Sequence, residues 1–193
     1  SSTDGLPVPP TIGLRGQHQV DNARIASVLG ARLGASRAAI ENGIANVAWP
    51  GRLERIGPYL LDAAHNADGA RALANYVATL GYRPEEVALI FGTLIDKDYK
   101  AMLDALAPLA GARVYIAPHS AARPAVDPQL LKGIYPGTVA SSVPEALAML
   151  QGFAAQDPRD KPGACVLVAG SIFAVGAARA ALLGLPCDLP VAL

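Results

Sequence analysis

Cysteine is nearly missing from this chain. Cys165 and Cys187 stand far apart, in no Cys-x-x-Cys or Cys/His spacing. That excludes a disulfide-stapled scaffold and any zinc or dithiol redox motif. Cys165 falls in an apolar stretch and reads as a buried structural thiol, Cys187 lies in a Pro-flanked tail, and the cytoplasm is the expected compartment. An excess of charge of either sign is also missing. Sixteen Lys and Arg balance sixteen Asp and Glu, so there is no basic patch to attract nucleic acid. No apolar run approaches the ~18 residues needed to cross a bilayer. The longest, Ala164–Val168, is strand-sized, and no membrane partner is expected. The start, Ser1-Ser2-Thr3-Asp4-Gly5, has no initiator Met, basic segment or apolar segment. It reads as a cut end rather than a signal peptide.

The missing chemistry is equally specific. There is no G-x-x-x-x-G-K-[ST] phosphate loop, no acid cluster for Mg²⁺ beside a triphosphate, no G-x-S-x-G elbow and no H-E-x-x-H. Aromatic residues make up only 5%. With Ala and Leu dominating the apolar residues, this favours helix-rich α/β packing over an all-β sandwich.

What is present is an ordinary folded composition: 193 residues, 52% hydrophobic and 17% charged. That is enough for one well-buried domain with an appendage. Residues 1–15 are rich in Pro and Gly and read as an extended arm. Gln19–Leu33 has apolar residues at helical spacing closed by Gly34, and Ser36 is placed to cap a second short helix carrying Ile40 and Ile44. Two helices with no strand between them cannot bury both apolar faces, so residues 1–48 read as the end of another domain.

From Trp49 onward strands and helices alternate. Strands are predicted at Leu53–Ile56, Tyr59–Leu61, Val87–Phe91, Arg113–Ala117, Thr138–Ala140 and Cys165–Ala169. Helices are predicted at Asp68–Leu80, Tyr99–Leu109, Pro128–Lys132, Pro144–Ala155 and Phe173–Leu183. Ser142-Val143-Pro144-Glu145 has the form of a capping box, and Gly81 stands where a left-handed helix end belongs. The alternation predicts an α/β fold for 49–193, a mostly parallel sheet with helices on both faces, preceded by the short helical segment. The first two strands, separated by Gly57-Pro58, can instead form an antiparallel hairpin at one edge.

Several strand-to-helix junctions carry polar groups, where open α/β sheets bind ligands. Asp62, His65 and Asn66 follow the Tyr59–Leu61 strand. A helix start there offers free N–H groups to an anion, although Asn66 or Asp68 could simply cap the helix. Arg52 follows the Pro50-Gly51 turn, and its guanidinium can fork onto phosphate or carboxylate, or pair with Glu54. Phe91-Gly92-Thr93-Leu94-Ile95-Asp96-Lys97-Asp98 follows the next strand; Asp96 is a good helix cap there, and Lys97 and Asp98 read as first-turn surface residues. Gly170-Ser171 follows the strongest strand and opens the last helix. Arg123-Pro124 and His119 lie in the loop after Arg113–Ala117, His119 without an evident partner.

Trp49-Pro50-Gly51-Arg52-Leu53-Glu54 with Asp62-Ala63-Ala64-His65-Asn66 resembles the folylpolyglutamate synthase/dihydrofolate synthase family of the Mur ligase superfamily. Three further segments extend the resemblance: His18-Gln19-Val20-Asp21-Asn22, Gly92 to Asp98, and Gly170-Ser171-Ile172-Phe173-Ala174-Val175-Gly176. The family's usual proline after the Asn is Ala67 here, which bears on how the helix starts more than on chemistry. The resemblance covers only the C-terminal part of such an enzyme and implies a Rossmann-like domain preceded by the last helices of an ATPase domain. It implies an ATP- and Mg²⁺-dependent ligase in which the carboxyl of folate or dihydropteroate is activated as an acyl phosphate and attacked by L-glutamate. Asn22, Arg52 and Asp62 would contact the nucleotide, and His65 and Ser171 would position glutamate. Asp62 and His65 are the residues nearest the chemistry, acting by positioning and electrostatics. The Mg²⁺ ligands and the N-terminal ATPase domain would lie elsewhere, so the chain alone is expected to be inactive. A stand-alone small-molecule-binding module and the C-terminal domain of a peptidoglycan-type Mur ligase are the alternatives.

Overall fold

The computed structural model describes residues 9–120, 123–154 and 164–186. Residues 1–8 of the predicted arm, Ala155 at the end of a predicted helix, and Cys187 lie outside them. The element order is α1 (Gln17–Arg32), α2 (Arg37–Asn46), β1 (Glu54–Ile56), β2 (Tyr59–Leu61), α3 (Ala67–Thr79), β3 (Val87–Phe91), α4 (Tyr99–Leu106), β4 (Ala112–Tyr115), α5 (Pro128–Ile134), β5 (Thr138–Val139), α6 (Val143–Met149), α7 (Gln151–Ala154), β6 (Cys165–Ala169) and α8 (Ile172–Leu183).

The strands form one sheet in the order β1-β2-β6-β3-β4-β5. β1 and β2 are the antiparallel edge hairpin, with Arg55 opposite Leu60. Every other pairing is parallel. β3 and β6 are buried along their whole length, as the continuous apolar runs Val87–Phe91 and Cys165–Ala169 require of central parallel strands.

Because strand side chains alternate, the sheet feeds two cores. On one face Leu60, Leu89, Phe91 and Leu167 pack with Leu73 and Val77 of α3 and Met102, Leu103 and Leu106 of α4. On the other, Leu61, Ile90, Val166 and Val168 pack with Val143 and Leu147 of α6 and Ala174, Val175 and Ala178 of α8.

Helix ends are set locally. Ser36 Oγ accepts from Ala39 N–H at 3.2 Å to start α2, and Asn66 Oδ1 accepts from Gly69 N–H at 2.8 Å to start α3. Two predictions about caps need correction. α4 is capped by Asp98, whose Oδ1 accepts from Ala101 N–H at 3.0 Å, not by Asp96. A turn closed by Lys97 N–H to Leu94 C=O (3.2 Å) holds Asp96 before the helix can begin. At α6, Ser142 Oγ accepts from Glu145 N–H at 3.3 Å, but the Glu145 carboxylate reaches past Ser142 to the N–H of Ser141 at 2.6 Å. The predicted helix Pro144–Ala155 is split, with α6 ending at Met149 and α7 beginning at Gln151.

α1 and α2 pack on each other and α1 touches α3, but the hairpin buries little. α2 has no buried residue, and Ile25, Leu29 and Leu33 of α1 are 45%, 52% and 87% exposed. No helix among the described residues is long and apolar enough to cross a membrane.

After β3 the chain steps outward through β4 to β5, then returns to insert β6 between β2 and β3. The loops leaving β2, β3, β4 and β6 therefore meet at the carboxyl edge of the sheet, around a gap of the kind that open α/β folds use for ligands.

Candidate functional site

Two neighbouring constellations occupy that edge. The first ties the Trp49–Glu54 turn to the Asp62–Asn66 segment. Ala63 N–H donates to Gly51 C=O at 2.7 Å, and Leu53 N–H donates to Asp62 Oδ2 at 3.0 Å. Asp62 Oδ1 accepts from Ala64 N–H at 3.0 Å, so each carboxylate oxygen of this buried residue holds one backbone donor. Burial pushes the Asp62 carboxyl above its ordinary range, an effect opposed by the Leu53 N–H bond, by the charge of Arg52, by the Ala64 N–H and by His18. Leu53 is held at φ +47 with its side chain buried, an uncommon backbone state for a branched residue, and Arg52 stands exposed beside it.

Arg52 does not pair with Glu54. The Glu54 carboxylate binds Arg179 of α8 through both oxygens, at 2.9 and 3.0 Å from Nε, and accepts from Gly51 N–H at 2.8 Å. That leaves the Arg52 guanidinium without an ion pair among the described residues, acting on Asp62 through space. Asn22 lies on α1, exposed, with its amide donating to Gln19 Oε1 at 3.0 Å. The start of α1 lies against the same turn: a Cβ added at Gly16 would meet the His18 ring at 2.8 Å and Leu53 Cδ1 at 3.0 Å.

The second constellation is a cleft of about 160 Å³ lined by His65, Thr93, Leu94, Lys97, Arg123 and residues 170–173. His65 Nδ1 lies 2.9 Å from Ala63 C=O. A carbonyl only accepts, so this contact requires the N–H at Nδ1, and in that tautomer Nε2 is an acceptor. Ser171 caps α8, its Oγ accepting from Phe173 N–H at 3.2 Å, which leaves the hydroxyl proton to donate elsewhere. Gly170 makes this turn feasible. Its φ is +106, and a Cβ there would stand 2.6 Å from Gly92 C=O and 2.8 Å from the Phe91 ring.

Across the cleft, Lys97 Nζ and Arg123 Nη1 lie 3.1 and 3.2 Å from the same oxygen of Asp96. The Lys97 ammonium, with help from Arg123, holds the Asp96 carboxyl below its ordinary range. Two cations sharing one carboxylate leave a net positive charge, and α8 presents its N-terminal dipole end to the same space. The arrangement suits a small anionic ligand. Among the described residues no three His, Cys, Asp or Glu side chains come together to hold a metal ion.

Residues 51–172 match the family model described as Mur ligase, glutamate ligase domain. The chain belongs to that family. Folylpolyglutamate synthase of Lacticaseibacillus casei is 34% identical over 148 residues, covering 75% of this chain and 32% of the relative. The solved folylpolyglutamate synthase of Mycobacterium tuberculosis, complexed with ADP, superposes with a TM-score of 0.70 at 32% identity, covering 89% of this chain and 41% of that one. A bifunctional folylpolyglutamate synthase/dihydrofolate synthase solved with Mn, AMPPNP and L-glutamate bound gives a TM-score of 0.69 at 26% identity, covering 94% of this chain and 42% of that one. The chain spans 21% to 32% of the length of the curated relatives it matches.

The five residues singled out from sequence divide into two groups, four of them within the matched domain and Asn22 before it. Arg52 and Asp62 meet at the first constellation, with Asn22 on the neighbouring helix. His65 and Ser171 share the cleft. Three further cleft residues, Lys97, Arg123 and Thr93, carry no assigned role from sequence. From sequence Lys97 is a first-turn surface residue and Arg123 a loop residue, because the fold alone brings the β3–α4 and β4–α5 loops together through Ile95 N–H to Pro124 C=O at 3.0 Å. Thr93 gave no signal except its place in the segment after Gly92.

Proposed function

We propose that this chain is the glutamate-handling domain of an ATP-dependent ligase that joins L-glutamate to the carboxyl of a folate or of dihydropteroate. The observation that carries the reading is the cleft at the carboxyl edge, where Lys97, Arg123, the Ser171 hydroxyl and His65 surround a space of about 160 Å³. Such a site takes a small carboxylate. Lys97 and Arg123 supply the charge, Ser171 donates a hydrogen bond, and His65 Nε2 can accept one from an ammonium group.

The first constellation is the nucleotide side. Arg52 is exposed, free of an ion pair among the described residues and steadied by the Leu53–Asp62 bond, which fits a phosphate contact. Asn22 adds an amide from α1. ATP would supply the phosphoryl group that activates the acceptor carboxyl. Mg²⁺ would neutralise the phosphates in the complete enzyme, held by ligands of its ATPase domain. In this reading residues 1–48 are the end of that domain and 49–193 the glutamate domain. Asp62, with both oxygens held by backbone N–H groups, acts here by fixing the Arg52 turn and keeps lone pairs for a ligand hydroxyl or ammonium.

The test is a hybrid enzyme in which this chain replaces the matched segment of the Lacticaseibacillus casei relative. The hybrid is expected to release ADP only when both L-glutamate and a folate or dihydropteroate acceptor are present, and Lys97→Ala is expected to raise the KM for glutamate at least tenfold. The 193-residue chain alone is expected to show no turnover, because it has no phosphate loop. A hybrid that binds ATP yet ligates nothing, or turnover by the chain alone, contradicts the proposal.

A further inference from the structure

Thr93 is fully buried, it lines the cleft, and its Oγ1 has no hydrogen-bond partner; among the described residues the only other such side-chain atom is Arg24 Nε. A buried hydroxyl left unpaired is costly, and its persistence calls for a reason. The backbone around it gives no freedom to escape to water. Thr93 C=O accepts from Val126 N–H at 2.9 Å, Gly92 N–H donates to Ala169 C=O at 3.4 Å, and Ile95 N–H donates to Pro124 C=O at 3.0 Å. Leu94 and Ala125 add an antiparallel bridge. With the residue pinned on both sides, rotation about χ1 is the motion left to the hydroxyl, and the cleft is the open space it borders.

We propose that the Thr93 hydroxyl is a binding and specificity contact of this cleft, donating to a carboxylate oxygen of the acidic amino acid that Lys97 and Arg123 attract. The inference rests on the reading of the cleft as the glutamate subsite and adds a residue to it. Lys97 and Arg123 supply charge that any anion satisfies. A short hydroxyl in a fixed place supplies direction, and a site with a buried group awaiting its partner discriminates against ligands that cannot pair it. A bound carboxylate would pair the hydroxyl that no protein group pairs.

The test titrates L-glutamate into the full 193-residue chain and into Thr93→Val, Thr93→Ser and Lys97→Ala, following amide chemical shifts, with thermal unfolding of each. Thr93→Val keeps the shape and removes the hydroxyl. It is expected to weaken glutamate binding about ten- to a hundredfold, the worth of one charge-assisted hydrogen bond, while melting at or above the wild-type temperature. Thr93→Ser is expected to bind within about twofold of wild type, since it keeps the donor. Thr93→Ala serves in place of Thr93→Val if the latter does not fold, with the same loss of binding expected. Unchanged binding by the hydroxyl-free variant, while Lys97→Ala weakens it, overturns the role of Thr93 and leaves the subsite reading standing. Lowered melting together with lost binding in the isosteric Thr93→Val also overturns it, since that marks a structural hydroxyl. No glutamate binding by the wild-type chain overturns both.

Discussion

At the scale of single residues, the Asp62–Asn66 segment divides its labour. Asn66 is the helix cap, Asp62 holds two backbone donors, and His65 does neither. Asn66→Ala is therefore expected to cost about 1 kcal/mol of stability, as for a lost cap, with glutamate binding preserved. His65→Ala is expected to leave the melting temperature nearly unchanged, because the ring is exposed and its one bond is to Ala63 C=O, yet to impair glutamate use. Chemical denaturation of the two variants beside their glutamate titrations separates the roles; a stability loss for His65→Ala equal to that of Asn66→Ala contradicts the assignment. Arg52 supplies a parallel case. In the hybrid enzyme Arg52→Lys is expected to weaken ATP binding by about 1–3 kcal/mol, since an ammonium cannot fork onto phosphate. An unaltered ATP dissociation constant would make Arg52 a surface charge only.

At the scale of elements, the strands were legible because the apolar runs Val87–Phe91 and Cys165–Ala169 admit only burial on both faces. The edge hairpin was legible from Gly57-Pro58 between two short strands. What sequence could not supply was which loops meet. Lys97 reads as a surface residue until the Leu94–Lys97 turn leaves the cap of α4 to Asp98 and Arg123 arrives from the next loop. The partner of Glu54 was equally hidden, since Arg179 lies 125 positions away. The α1–α2 hairpin behaves as its pattern suggested, with apolar residues it cannot bury. Leu33→Glu, at a position 87% exposed, is expected to change stability by no more than about 0.5 kcal/mol. Leu89→Ala, fully buried in β3, is expected to cost about 2–5 kcal/mol by opening a cavity. Urea unfolding of both variants checks the contrast; a large loss from Leu33→Glu would mean that α1 is covered.

At the scale of the whole molecule, two cores flank one sheet and the carboxyl edge is where charge and buried polar groups collect. The opposite kind of polar burial is structural. Burial pushes the Cys165 thiol up to about 11 from an ordinary value of 9.0. The folded chain keeps this proton where the unfolded chain has lost it, so the stability it confers is whole below about pH 9 and is lost as pH climbs through about 11, by at most about 1.4 kcal/mol per unit. The advantage of wild type over Cys165→Ala in thermal unfolding should therefore shrink between pH 8 and pH 11; a constant gap contradicts a buried neutral thiol.

The central claim is that the carboxyl-edge cleft of this glutamate ligase domain takes the glutamate. The most direct measurement is a map of backbone amide shifts as L-glutamate is added to the full chain. The account predicts that the largest changes fall at His65, Thr93, Lys97, Ser171 and Phe173, the residues that line the cleft. Changes confined to the amino edge of the sheet around Arg113, Gly137 and Thr138, or no changes at millimolar glutamate, would contradict it.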